Sequence, residues 1–401
     1  MTSRLGAPAV LNKMAALFLD RSARAVHRVF KVMALSVLLA IYSGCAGGAQ
    51  PSTHQDWLAP TAQHLSWQPW ADVPDARSLA LGPNGHVFVG NRRKNKVWVL
   101  RDANADGQAE QRQVLLDDLD MPNGIAVLGD DLFVATLRHV WRYPGLAANP
   151  QANVEAQAIR QLPSERHHGW RYLAAGPQGW LYLSIGAPCN VCLEPGFARI
   201  ERFQADGSHV ELVADGVRNS VGLAWDDAGR LWFSDNGRDW MGDDQPPCEL
   251  NLLTKPGTHF GFPFCHGGQV PDPKFNSRPC RQFTAPALAL QAHVAPLGLA
   301  FLNAGDLGLE GPGLVVAEHG SWNRSTKVGY RLMLATLEQG EVHDYKPLVE
   351  GFLHQDRVLG RPVDVLRLSS SSLLVSDDHA GRIWILSQTQ SSVQSSDTAA
   401  H

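Results

Sequence analysis

The chain has 401 residues, of which 44% are hydrophobic and 18% charged, with a formal net charge of −4. That balance excludes a disordered chain, and without a basic excess it excludes a nucleic-acid binder. Its 37 Gly and 25 Pro suit many short strands joined by tight turns.

Arg21, Arg24, Arg28 and Lys31 precede an apolar run from Val32 to Tyr42, and Ser43, Gly44, Cys45, Ala46, Gly47 and Gly48 follow. A basic stretch, a short apolar core and small residues describe a secretory signal peptide. The run is short for a bilayer span. Cys45 after Ser-Gly matches a bacterial lipoprotein box, apart from Tyr42 where Leu is usual. The expectation is a signal peptide over residues 1–44, cut before Cys45, whose acylation would attach the protein to a membrane. Ordinary signal cleavage into the periplasm is the alternative. Residues 45–70 read as a linker and 389–401 as a disordered tail.

Export implies an oxidising compartment in which cysteines pair. Cys189-Asn190-Val191-Cys192 lacks the second pair that a zinc site needs, so a local disulfide is expected. Of Cys248, Cys265 and Cys280, one is left over.

From Ser78 onward one pattern recurs: a strand, a Gly/Asp/Asn turn, then a strand of alternating apolar residues. Its copies are SLALGPNGHVFVGN from Ser78, GIAVLGDDLFVAT from Gly124, YLAAGPQGWLYLSIG from Tyr172, GLAWDDAGRLWFSDNG from Gly222, GLAFLNAGDLGLEGPGLVVAEHG from Gly298 and DVLRLSSSSLLVSDDHAG from Asp364. The turns have hairpin chemistry and the alternation is strand chemistry. Six copies of one small sheet predict an all-β, six-bladed β-propeller over residues 71–388. The 12 Trp are expected chiefly as wedges between blades.

Loops at one end of a propeller converge on its channel, so polar residues flanking the repeats can share a pocket. His167 and His168 precede the third copy; a His there can serve as a base, or both can be surface residues. Arg218-Asn219 precedes the fourth copy and sets a planar cation beside an amide. Asp235 to Glu249 can offer oxygens to calcium, or form a solvated acidic loop. His319 to Arg324 and Gly360-Arg361-Pro362 add arginines at related points of late blades. Asp102, Asn104, Asp106 and Glu110 follow the first part of a calcium loop, with Gly107 at the turn and Gln113 in place of the twelfth-position Glu. That segment reads as a structural calcium loop or a plain polar turn.

Taken together, HHGWRYLAAGPQGWLYLSIGAPCNVC, GVRNSVGLAWDDAGRLWFSDNGRD, GDDQPPCELNLL, HFGFPFCHGG, HVAPLGLAF, EHGSWNR and GRPVDV resemble the PQQ-dependent sugar dehydrogenases, the soluble glucose and L-sorbosone dehydrogenase group. The resemblance implies PQQ over the central channel beside a calcium ion. It implies His168 as catalytic base, with Arg218 and Asn219 over the quinone. It makes Arg361 a PQQ-carboxylate ligand and Arg324 or Lys327 a second. It assigns calcium to the Asn236, Gly237, Arg238 and Asp239 loop, partly through backbone oxygens. Where relatives often carry Asp before Glu-Leu-Asn, this chain has Cys248, which points to a disulfide with Cys265 or Cys280.

The implied chemistry is oxidation of a small sugar by hydride transfer, with electrons passing to an external acceptor. The chain has no CxxCH haem motif. Two alternatives are a calcium-dependent lactonase or esterase, and a non-catalytic binding propeller.

Overall fold

The computed structural model describes residues 57–389. The signal segment, Cys45 and most of the expected tail lie outside them. Among the described residues there is no α-helix, and no helix is long and apolar enough to cross a membrane. Six sheets of four or five strands follow one another along the chain as the blades of a propeller; they are antiparallel except where Thr258–His259 adds a short parallel edge to the third.

Blade 1 runs Ala76–Leu81, Val87–Asn91, Val97–Arg101, Gln111–Leu116, and blade 2 runs Gly124–Leu128, Asp131–Ala135, His139–Tyr143, Gln157–Gln161. Blade 3 spans Tyr172–Ala175 to Glu211–Asp215, and blade 4 spans Leu223–Trp225 to Leu288–Leu290. Blade 5 spans Pro296–Leu302 to Glu341–Glu350. Each blade begins at the channel, and the sequence repeat is its inner pair of strands. In blade 1 the turn between that pair holds Asn84 at φ 58° and Gly85 at φ 74°. Two central residues at positive φ make a turn whose twist matches the flanking strands.

Blade 6 closes the ring. Its strands Pro362–Ser369, Ser372–Asp377 and Arg382–Gln388 are completed by Leu65–Asp72 from the start of the fold. The ring therefore begins at Leu65, inside the stretch expected as linker, because Arg382–Gln388 would otherwise be an open edge.

The core lies in the seams between blades. Trp384 packs with residues of blades 5 and 6, Trp232 with blades 4 and 5, and Trp70 with blades 6 and 1. Buried polar groups tie inner strands across the seams. Leu79 N donates to Asp364 Oδ2 (2.8 Å), Asn123 Nδ2 to Arg171 O (3.1 Å), and Ser234 Oγ to Leu297 O (2.7 Å).

Cys189 pairs with Cys192, and Cys265 with Cys280 across the excursion that precedes the last strand of blade 4. Cys248 is free and buried in blade 4. The expected bridge from Cys248 is corrected accordingly: its neighbours in space are blade residues, while Cys265 and Cys280 share the excursion.

Candidate active site

Within each blade, the start of the first strand and the end of the second lie at the same face of the ring, because the pair is antiparallel. These ends surround a cavity of about 340 Å³. His167, His168 and Trp170 come from before blade 3, and Arg218 and Asn219 from before blade 4. Asn236, Gly237 and Asp239 follow the second strand of blade 4, His319, Gly320 and Trp322 follow that of blade 5, and Arg361 precedes blade 6. Blade 1 contributes Arg77 and Arg92.

His168 is 7% exposed and takes a left-handed φ of 48°. Its Nδ1 lies 2.8 Å from Ala187 O. A carbonyl only accepts, so Nδ1 carries the proton and the lone pair is on Nε2. Burial first, then the charge of Arg218, holds this imidazole well below its usual pKa, hence neutral at pH 7. Gly186 lies against it: a Cβ there would stand 2.7 Å from His168 Cβ and 3.0 Å from Asn219 Oδ1.

Arg218 has every guanidinium N–H directed at an acceptor. Nε and Nη2 reach Asn190 O and Oδ1 (both 2.9 Å), and Nη1 reaches Asn236 O (3.1 Å) and Gly237 O (3.0 Å). Asp239 Oδ2 stands 3.4 Å away. Asp235 accepts from the backbone N–H groups of Arg218 (2.8 Å) and Asn219 (2.7 Å). Burial, reinforced by Glu249 opposite, pushes the Asp235 carboxyl up to about 8. The Cys189–Cys192 bridge encloses Asn190, whose O and Oδ1 hold Arg218.

The remaining arginines differ in how far they are neutralised. Arg77 pairs with Asp378 at 2.9 Å, and the same carboxylate meets His319 Nε2 at 2.9 Å. Burial holds His319 down at about 4. Arg361 donates only to carbonyls, His319 O (3.0 Å) and Gly320 O (2.7 Å), and lies over the Tyr330 ring. Arg92 stacks on Trp170 at 5.2 Å, and its guanidinium has no carboxylate partner among the described residues. Burial and the charge of Arg77 lower it to about 10. The cavity is therefore poised for an anion.

Sequence reading missed Arg92 and Arg77. The signal was present, since Arg92 follows a second strand as Asn236 and His319 do. Arg324 and Lys327 do not line the cavity. Arg324 binds Asp243 O (3.0 Å) and Asp244 (2.8 Å), and Lys327 binds Asp356 (2.8 Å), all outside it. Arg238 turns its side chain to Asp272. Asp102, Asp106 and Glu110 bring ligand oxygens within 4.8 Å of one another in the turn between the outer strands of blade 1, away from the channel. Asn104 helps close that turn, its Oδ1 accepting from Asp106 N at 2.9 Å.

Two family models match the chain. One, a domain of unknown function (DUF7133), covers residues 77–253, and one described as TrAA12-like covers 266–389. An uncharacterized protein of Borreliella burgdorferi is 29% identical over 331 residues, 78% of this chain and 86% of its own length. Among solved structures, the holo PQQ domain of a pyranose dehydrogenase from Coprinopsis cinerea superposes with a TM-score of 0.70 at 20% identity, covering 86% of this chain and 99% of that one. The fold is that of the PQQ-binding sugar dehydrogenases. The calcium structure of a family AA12 enzyme from Trichoderma reesei gives 0.72 at 20% identity, covering 82% and 97%. A PQQ-bound aldose sugar dehydrogenase from Streptomyces coelicolor gives 0.59 at 20% identity, covering 82% and 99%. The likeness in fold spans the whole ring.

Proposed function

We propose that this protein is a PQQ-dependent oxidoreductase that oxidises a sugar at its anomeric carbon. The observation that carries this reading is that two cavity guanidinium groups, Arg92 and Arg361, form no ion pair among the described residues and share the cavity with a histidine held neutral. PQQ is planar and bears three carboxylates and an ortho-quinone, which suits fixed guanidinium groups. Arg361, with Arg92 in the role expected of Arg324 or Lys327, would hold carboxylates. The Arg218 side chain has no free donor, so it acts as a fixed charge, beside Asn219, where negative charge develops.

PQQ, when bound, supplies the quinone that accepts hydride. His168 Nε2 takes the proton from the anomeric hydroxyl as the C–H bond is lost, leaving a C=O bond and a lactone product. Ala187 O keeps the other nitrogen protonated and fixes the tautomer. Electrons then leave to an external acceptor.

The oxygens of Asn236, Gly237 and Asp239 fit a calcium ion in kind. The two carbonyls converge on a cation, Nη1 of Arg218, and each keeps a second lone pair. The Asp102–Glu110 turn is a separate, structural calcium loop in this reading. Among the described residues that turn holds the one cluster of three acidic ligands, and it stands apart from the channel. The arginines facing the cavity favour the quinoprotein over a calcium-dependent lactonase, which needs no cations aimed at an anionic cofactor.

The test is a PQQ titration of the purified protein, with and without calcium, followed by absorbance. Wild type should bind, more tightly with calcium. Arg361→Lys and Arg92→Ala should each weaken binding by roughly tenfold to a hundredfold, the loss of one charge-assisted contact to a buried ligand. Failure of the wild type to bind in calcium would end the assignment.

A further inference from the structure

Trp240 and Trp322 stand in the open, 68% and 66% exposed. They follow the second strands of blades 4 and 5, and Trp322 also lines the cavity. Their rings meet edge to face, with centroids 5.6 Å apart and planes at 85°. Trp240 holds φ at 70°, a left-handed conformation that bulky side chains rarely take. An exposed indole on strained backbone persists only where the surroundings impose it, and such strain clusters at ligand sites.

Arg324 ties the loop just after Trp240 to the loop of Trp322. Its Nε donates to Asp243 O (3.0 Å), its Nη2 to Asp244 Oδ1 (2.8 Å) and its Nη1 to Thr326 O (2.9 Å). Ser325 N adds a bond to Asp243 Oδ1 (3.1 Å), and His293 Nε2 meets Gly242 O at 2.8 Å. The loop carrying Trp240 is stapled to the loop carrying Trp322. Arg324 is a positioning residue for the two indoles.

Two aromatic planes at right angles make a corner. One ring can lie flat on one indole while its edge meets the other. Asp239, Asp243, Asp244 and Asn323 stand near the two indoles in the chain, and an apolar patch with polar neighbours marks a ligand surface. A pyranose presents an apolar C–H face ringed by hydroxyls, the complement of that pattern. The cavity, about 340 Å³, is near the lower end of roughly 300–1,000 Å³ for a single ligand. Filled by the cofactor of the proposed function, on which this inference rests, it leaves the sugar at the mouth. The geometry points to the Trp240–Trp322 corner as a stacking subsite for the sugar unit next to the one oxidised. The substrate class is then the reducing end of an oligosaccharide.

The experiment uses the full protein with glucose, cellobiose and maltose, read in two ways. With PQQ loaded and a dye as acceptor, at least one disaccharide should exceed glucose in kcat/KM. Trp240→Ala, Trp322→Ala and Arg324→Ala should each shrink that advantage about tenfold, the upper value of one aromatic contact. Trp240→Phe should restore part of it, and Arg324→Ala should leave PQQ titration unchanged. Without cofactor, that disaccharide should quench tryptophan fluorescence in wild type and not in the double Ala variant. Equal kcat/KM for all three sugars would overturn the subsite. So would variants that change only the KM of the dye, which would make the corner an acceptor dock. Lack of PQQ binding would strike the oxidoreductase reading instead, and the quenching would still report the subsite.

Discussion

At His168 a single hydrogen bond decides which nitrogen keeps its lone pair. Ala187 O engages Nδ1 at 2.8 Å, and the lone pair is left on Nε2. Burial and Arg218 depress the pKa below the ordinary 6.5. A base must be unprotonated to act, and a depressed pKa keeps it so to lower pH. The acidic limb of a kcat/KM profile for sugar oxidation is therefore expected below pH 6.5. His168→Gln should abolish turnover while PQQ titration stays close to wild type. A variant that still turns over would pass the role to His167, whose ring lies 4.1 Å from that of His168. The exposed acidic limb of an unperturbed histidine, near pH 6.5, would contradict the burial argument.

Among the elements, the strand Leu65–Asp72 carries the closure. It pairs with Arg382–Gln388 along its length, with an irregularity between Pro69 and Ala71. It also sets Trp67 against Trp384, ring centroids 5.4 Å apart. A chain shortened to begin at Val73 would expose a hydrogen-bonding edge and the seam around Trp384. Such a chain should unfold at clearly lower temperature and self-associate, as measured by thermal denaturation and size-exclusion chromatography. An unchanged midpoint would mean that the seams alone hold the ring. The strand is hard to read from sequence because LSWQPWAD contains a proline and stands far from its partner in the chain. Its pairing exists only once the ring has closed.

For the whole molecule, the cavity places cations from blades 1, 4 and 6 around one space. Arg77 and Arg218 are paired with Asp378 and Asp239, whereas among the described residues the side chains of Arg92 and Arg361 form no ion pair. A ligand that binds only the closed ring stabilises it, by about 2.7 kcal/mol at a hundredfold excess over Kd. PQQ at that excess should raise the unfolding midpoint by several degrees. Arg361→Lys should leave the ligand-free midpoint near wild type and lose most of the PQQ-dependent rise at the same PQQ concentration. A rise undiminished in that variant would place the carboxylates elsewhere.

The repeat of strand, turn and alternating strand is local information, and it determined by itself the six blades and the hairpin turns; the Cys189–Cys192 bridge was legible in its own short spacing. Hairpin register depends on neighbours a few residues apart, so it is legible in a linear text. The motifs also singled out His168, Arg218, Asn219 and Arg361, which line the cavity. Which further arginines face it was a matter for the tertiary structure. Arg324 and Lys327 lie in a promising loop, yet Asp243, Asp244 and Asp356, distant in the chain, take their charges outside the cavity. Arg92, unremarkable in sequence, faces the cavity, and among the described residues no carboxylate forms an ion pair with it. Asn190 and Arg218, and likewise Trp240 and Trp322, meet only across blades. A side chain's direction follows from its strand, but its partner is set by ring closure, which brings together residues that no local pattern relates.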